Sequence, residues 1–236
     1  MKRLIIASTS TLHRQSYLHY LLPELKRHFN QCKELLFLPY ARPGGASHEA
    51  YTSAVQKALA PLGIKVWGIQ EYDDPVKAIQ ETSALFTGGG NTFLLVKQLH
   101  DLELLGALRS AINGGTPYLG TSAGSNICGI SMQTTNDMPI VYPSSFETLG
   151  IVPFNINPHY LDPQPDSQHM GETREERIKE FHTYNSIPVV GLREGSWLKV
   201  KGDDISLEGT HSARVFEQNK KPYEIPLGSS LNNFIN

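Results

Sequence analysis

The sequence predicts an α/β fold: a mostly parallel sheet with helices on both faces. Three observations predict it. Apolar runs of strand length alternate with segments of helical periodicity through the first half of the chain. Gly and Pro punctuate most junctions between the two. Repeated strand–helix units close most simply as parallel strands joined by helical crossovers.

The elements follow in order. Leu4 to Ala7 reads as a first strand, and Ser16 to His28 as a helix with Leu18, Leu21, Leu22 and Leu25 at helical spacing. Leu35 to Pro39 is a strand closed by proline, and Glu49 to Leu59 is a helix stopped by Pro61 and Gly63. Ile64 to Ile69 alternates as a strand. Asp74-Pro75 opens a helix through Gln80, with Asp as N-cap and Pro at the first helical position. Ala84 to Thr87 is a strand running into Gly88-Gly89-Gly90. Helices are expected at Thr92 to His100 and Leu102 to Ile112, a strand at Pro117 to Gly120, and a turn and helix at Ser122 to Gly129. The stretch from Thr134 to Arg174 is rich in Pro, Asn and Asp and reads as a long functional loop region. Strands return at Pro188 to Leu192, Trp197 to Val200 and Ala213 to Gln218. With no repeat and no low-complexity linker, residues 1–236 read as one domain.

Composition narrows the function. Lys and Arg number 21 against 23 Asp and Glu, a net charge of -2, so there is no basic surplus for nucleic acid. The 39% of hydrophobic residues argues against disorder. Two cysteines, Cys32 and Cys128, cannot make a disulfide framework, and neither has a partner at metal-ligand spacing. The apolar run after Met1-Lys2-Arg3 is too short for a signal peptide, and no stretch approaches the ~18 apolar residues of a membrane span. A soluble, cytoplasmic protein without membrane or nucleic-acid partners is expected.

The sharpest chemical signal is Gly120-Thr121-Ser122-Ala123-Gly124, a G-x-S-x-G pattern after a strand and before a helix. That context lifts Ser122 above the end of the sheet and aims the Ala123 N–H at a developing oxyanion. A serine needs a base. Among nine histidines, five sit among polar neighbours near helices. His159, in Asn155-Ile156-Asn157-Pro158-His159, leaves a strand-like stretch with Pro fixing its approach, and His169 is the second candidate. A carboxylate must orient the base. Asp137, before Pro139, and Glu194, after a late strand, both qualify, and spacing does not choose between them. Gly88-Gly89-Gly90-Asn91-Thr92 reads either as a phosphate cradle or as the second oxyanion donor, with Gly89 preferred; it lacks both nucleotide-binding glycine patterns. Thr173 and Glu176 match a capping box, and an arginine near that helix start can read a carboxylate bidentately.

Six segments in one order, GGGNTF (88–93), GTSAG (120–124), TTNDMPIV (134–141), INPH (156–159), GETRE (171–175) and EG-x-W (194–197), resemble the peptidase E family. These are aspartyl dipeptidases of the serine-peptidase clan related to class I glutamine amidotransferases. The resemblance implies a flavodoxin-like sandwich and cleavage of Asp-Xaa dipeptides without metal or cofactor. It implies Ser122 as nucleophile, His159 as base and Arg174 as reader of the aspartate side chain; Arg42, in the segment Tyr40 to Gly45 that departs from the version found in some members, is the next candidate for that role. It implies a third member at Asp137 or Glu194, both of which are present. The nearest rival is a cyanophycinase-like hydrolase of β-aspartyl peptides. An α/β-hydrolase esterase and a non-enzymatic small-molecule binding module are further rivals.

Overall fold

The apolar run Leu4–Ala7 forms most of β1 (Arg3–Ala7), an interior strand of a seven-stranded sheet. The computed structural model describes residues 1–44, 47–163 and 170–233. Along β1, Leu4 and Ile6 face one side of the sheet and Ile5 and Ala7 the other, and all four are fully buried. A strand buried on both faces reads as a continuous apolar run, because alternation disappears when neither face meets water. β2 (Glu34–Leu38), β4 (Leu85–Thr87) and β5 (Tyr118–Thr121) repeat the pattern, while β3 (Lys65–Gly68) closes one edge.

The sheet order is β3-β2-β4-β5-β1-β8-β9, with the first five strands parallel. From β1 the chain moves outward to β2 and β3, with α1 (Leu22–His28) and α2 (His48–Leu59) on one face. It then returns through β4 to β5, with α3 (Pro75–Glu81), α4 (Thr92–Asp101) and α5 (Leu104–Gly114) on the other. This reversal leaves the C-terminal ends of β1, β4 and β5 side by side, where open α/β sheets carry their sites. α6 (Ala123–Asn126) follows β5 directly.

The second half differs from the expected single sheet. β6 (Asn155–Pro158), β7 (Val189–Leu192), β10 (Ala213–Phe216) and β11 (Tyr223–Ile225) form a separate four-stranded sheet, ordered β11-β10-β7-β6. Ile156, Val190, Leu192 and Val215 share a core with Leu4, Ile6 and Leu198, so this sheet covers part of one face of the larger one. α7 (Arg174–Tyr184) packs behind it through Ile178. β8 (Ser196–Lys201) and β9 (Asp204–Gly209) form a hairpin turning at Gly202, φ +65, a left-handed position that suits glycine. β9 and β11 lack the apolar density that marks the other strands, since only alternate residues are buried.

Two further expectations are corrected. Ser16 to His28 is not one helix. A 3-10 turn spans His19–Leu21, and α1 begins at Leu22 with Pro23 in its first turn, where a missing N–H costs nothing. The Thr134–Arg174 region contains β6, which pairs with β7 on one side and is held on the other by side chains rather than a strand. The amide groups of Asn126 and Asn136 donate to Ile156 O and Pro158 O, both at 2.7 Å, and Thr134 Oγ1 donates to Ile156 O at 3.1 Å. Cys32 and Cys128 are both free thiols.

His28, at the end of α1, is buried and its Nε2–H donates to Tyr118 O at 3.2 Å. Burial first, and the Arg3 charge second, push it down from 6.5 to about 4. A depressed folded-state value means that the unfolded chain binds the proton more readily between those two values. The stability His28 contributes is thus complete above about 6.5 and is lost as pH falls towards about 4. Urea unfolding of wild type should lose about 2 kcal/mol more than that of His28→Gln between pH ~7 and pH ~5. Parallel losses in the two proteins would show that His28 does not carry this dependence.

Candidate active site

β5 delivers Ser122 in a conformation that residues other than glycine rarely adopt, φ 55 and ψ -112. Small neighbours make it possible. A Cβ on Gly120 would overlap Gly124 O, and one on Gly124 would overlap Thr87 O of β4. The Ser122 N–H donates to Ala7 O at 3.2 Å, and Ser122 O accepts from the Ser125 and Asn126 N–H groups, each at 2.9 Å, starting α6. The backbone is thus fixed on both sides and Oγ stands clear of the sheet.

The glycine run after β4 lies against this serine. A Cβ on Gly89 would sit 2.9 Å from Ser122 Cβ. The Gly88 N–H is used by Leu38 O and the Asn91 N–H by Ala41 O, while the Tyr51 hydroxyl donates to Gly89 O at 3.1 Å. Among the described residues, the N–H groups of Gly89 and Ala123 find no protein acceptor. Two unused donors beside one hydroxyl are what an oxyanion needs.

His159 is the first residue past β6. The parallel pairing of Pro158 with Leu192 brings the ends of β6 and β7 out together, and Glu194 follows β7 by two residues. His159 has φ 53, which turns its ring back over the sheet end. The Ser122 hydroxyl donates to His159 Nε2 at 2.8 Å, and the His159 Nδ1–H donates to Glu194 Oε1 at 2.6 Å. The imidazole can therefore take the serine's proton while the carboxylate stabilises the imidazolium that forms. Arg193 does not compete for Glu194. It pairs with Asp162 at 2.6 Å and Glu224 at 2.8 Å, which together raise its pKa further. The Tyr20 hydroxyl is pushed up by burial first and by the nearby Glu194 carboxylate second.

Asp137 occupies a different place. Its Oδ2 accepts from the Thr92 N–H at 2.7 Å, Thr92 Oγ1 at 2.6 Å and Thr135 Oγ1 at 3.1 Å. It is an anion anchored on the first residue of α4, where the helix dipole favours negative charge. Arg174 opens α7 behind the capping box of Thr173 and Glu176. Its guanidinium is half-buried, and burial first and Arg177 second hold its pKa below the ordinary value, opposed by Asp137. Arg174 makes no ion pair among the described residues, whereas exposed Arg177 pairs with Glu172 at 3.7 Å. Arg42 lies exposed over the Tyr51 ring, 4.8 Å from its centre. His169 lies outside the described residues.

The structure brings Ser122, His159 and Glu194 into one line and sets Asp137 and Arg174 within electrostatic reach of each other. Sequence reasoning missed the residues that hold them: Thr92 and Thr135 around Asp137, and Asn126, Thr134 and Asn136 around β6. Thr92 had a legible signal, since it follows Asn91, a good N-cap, and so offers a free helix-start N–H.

The model of Peptidase family S51 matches residues 4–208. The chain is 49% identical over 232 residues to a peptidase E of Streptomyces coelicolor, covering 98% of this chain and 94% of that protein. It is 45% identical over 219 residues, 92% and 90% of the two chains, to a Drosophila melanogaster protein named "Probable alpha-aspartyl dipeptidase". The crystal structure of a peptidase from an acI-B1 Actinobacterium superposes with a TM-score of 0.74 at 17% identity, over 98% of this chain and 96% of that one, which shows a shared fold. A family match that runs from the second residue of β1 nearly to the end of β9 leaves no element of the site outside it: the chain belongs to peptidase family S51.

Proposed function

We propose that this chain is a serine-type dipeptidase that hydrolyses dipeptides with N-terminal aspartate through an acyl-enzyme. The observation that carries the reading is the hydrogen-bonded line Ser122–His159–Glu194, together with a half-buried Arg174 without an ion partner among the described residues. Its close relatives' names support the same substrate class. Ser122, on a nucleophile elbow, attacks the aspartyl carbonyl as His159 takes its proton and Glu194 holds the imidazolium. The N–H groups of Ala123 and Gly89 receive the oxyanion. His159 then protonates the leaving amine, and water activated by the same imidazole releases aspartate. Arg174 takes the aspartate side chain and Asp137 the free amino group. Residues 1–236 act as one peptidase domain, since β1, β4, β5, β6, β7 and α7 all contribute to the site. Two free thiols support cytoplasmic residence.

Four experiments test this. Ser122→Ala should fold, because alanine fits a turn built of small residues, and turnover of Asp-Leu should fall by roughly 10³ or more. Near-normal turnover would remove Ser122 as nucleophile. β-Asp-Leu should be a poor substrate beside Asp-Leu, and the reverse order would favour the β-aspartyl reading.

Glu194→Gln should lower kcat by on the order of 10³ with little change in KM, because the imidazolium is stabilised only as it forms. Asp137→Asn should raise KM as well, because an amine-binding anion acts on ground and transition states alike. Steady-state kinetics on Asp-Leu separate the two patterns, and exchange of the patterns would reverse the assignment.

Arg174→Met should reduce kcat/KM for Asp-Leu by ~30-fold to several thousand-fold, the effect of losing a desolvated charge pair of about 2–5 kcal/mol. It should also relax discrimination against Asn-Leu, since no unpaired guanidinium then faces the neutral side chain. Arg174→Lys should restore activity only in part, because lysine lacks the planar fork. Normal cleavage of Asp-Leu by Arg174→Met would move the aspartate reader elsewhere, with Arg42 next.

A further inference from the structure

The tip of β1 contributes no reacting group, yet its last residue and the one after it bond the backbones of Ser122 and His159 and of Leu192, two residues before Glu194. Ala7 and Ser8 are both fully buried. Ala7 O accepts from the Ser122 N–H at 3.2 Å and from Ser125 Oγ at 2.6 Å. The Ser8 N–H donates to Ser196 O at 3.1 Å, which ties it to the start of β8. The Ser8 hydroxyl then works in both directions. It donates to Leu192 O at 2.7 Å and accepts from the His159 N–H at 2.9 Å.

The second bond solves a specific problem. The β6–β7 ladder ends with the pair Pro158 and Leu192. His159, one residue further on and at φ 53, has left that ladder, so its N–H needs an acceptor from elsewhere. Ser8 provides one from 151 residues away. Its other bond holds Leu192 O, two residues before Glu194 and also an acceptor for the Tyr160 N–H at 3.2 Å. One hydroxyl therefore couples the backbone of the base to the strand that carries the base's carboxylate. The neighbouring Ala7 carbonyl holds the backbone of Ser122. Hydrogen bonds of 2.8 and 2.6 Å on opposite sides of a single ring can both be short only if the ring's backbone is fixed relative to both partners.

We propose that Ser8 is a positioning residue for the imidazole, holding His159 in its left-handed backbone conformation and in register with Glu194 and Ser122. Nothing in the sequence marks it, since it lies in Ser8-Thr9-Ser10-Thr11, a polar stretch typical of any loop leaving a strand. The inference rests on the proposed peptidase activity for its kinetic readouts only.

The test compares Ser8→Ala with Ser125→Ala. Each removes one fully buried hydroxyl at the same junction, but the Ser8 hydroxyl bonds His159 N–H and Leu192 O, whereas that of Ser125 bonds Ala7 O. Ser8→Ala should lower kcat on Asp-Leu by about 10- to 100-fold, the scale of a misplaced catalytic group, with KM within about twofold. The acid limb of its kcat/KM profile should move to lower pH, because an imidazolium less well aligned on Glu194 gives up its proton more easily. In the free enzyme, the downfield proton resonance of the His159 Nδ1–H bond to Glu194 should shift upfield or broaden away. Ser125→Ala should leave that resonance and the acid limb where they are in wild type. Should Ser8→Ala fail to fold, Ser8→Cys keeps a weaker donor at the same point and carries the same readouts. An unshifted imidazole resonance in the Ser8 variant, or an equal shift in Ser125→Ala, overturns the proposal. Absence of Asp-Leu turnover in wild type defeats the dipeptidase reading but leaves the resonance test of Ser8 standing.

Discussion

Everything at this site depends on holding the backbone of Ser122 where an isolated chain would not leave it. A non-glycine residue at φ 55 and ψ -112 costs on the order of 1–3 kcal/mol and persists only when its surroundings over-determine it. The surroundings do so through close backbone approach. β5 lies between β4 and β1, with Thr87 opposite Gly120 on one side and Ala7 opposite Thr121 on the other. Gly124 passes so close to Thr87 O that a side chain would not fit. Gly89 packs on Ser122 itself. Because three strand ends converge within one turn of chain, neither the serine nor its donors can relax without disturbing a core that is fully buried at Leu4, Phe86 and Leu119. The strain is offset by burial across the whole sheet, not by any local bond.

A second layer of order lies behind the first. Glu175 pairs with Arg214, Arg214 with Glu224, Glu224 with Arg193, and Arg193 with Asp162, at distances from 2.6 to 3.1 Å. These residues are neighbours in sequence of the groups that matter: Glu175 follows Arg174, Arg193 precedes Glu194, and Asp162 lies just past His159. The chain of charges links α7, β10, β11 and β7, so the arginine and the His159–Glu194 pair sit on one electrostatic frame. Its side chains are 15% to 51% exposed, so each pair alone contributes little to stability in salt solution. The frame's value is geometric. Arg193 grips two carboxylates through a planar fork and stacks near the Tyr160 ring, fixing the turn on which Glu194 stands.

How much of this was legible in the sequence follows from where each interaction is local. The buried parallel strands were legible because burial on both faces leaves an uninterrupted apolar run, as in Leu4 to Ala7. Ser122 was legible because the requirement for small residues at 120 and 124 is met within five positions. His159 was legible by its place after a proline and a strand-like stretch, but that this stretch is β6 of a second sheet was not. Its outer edge is satisfied by Asn126, Thr134 and Asn136 instead of a strand, so its sequence looks like a polar loop. Spacing could not show which carboxylate meets His159, because that depends on the parallel register of β6 on β7. Ser8 was invisible for the same reason: its two partners are 151 and 184 residues away.

The juxtaposition of Asp137 and Arg174 explains how such a site could prefer one end of one kind of peptide. Arg174 is half-buried without an ion pair among the described residues, a costly state for a guanidinium, and the field of Asp137 lowers that cost without ending it. Asp137 in turn is held back by Thr92 and Thr135, which spend one of its oxygens on the start of α4 and keep it from collapsing onto the arginine. The two therefore feel each other's charge without forming an ion pair among the described residues. An N-terminal aspartate carries the complement, a carboxylate and an ammonium on adjacent carbons. Binding it would satisfy both charges at once, and the scissile carbonyl, on the same α-carbon as the ammonium, would be carried towards Ser122. A neutral first residue would leave the guanidinium without its partner, and a blocked amine would leave Asp137 without its own. Selectivity on this account comes less from attraction to aspartate than from the cost of leaving either half of a separated pair unanswered.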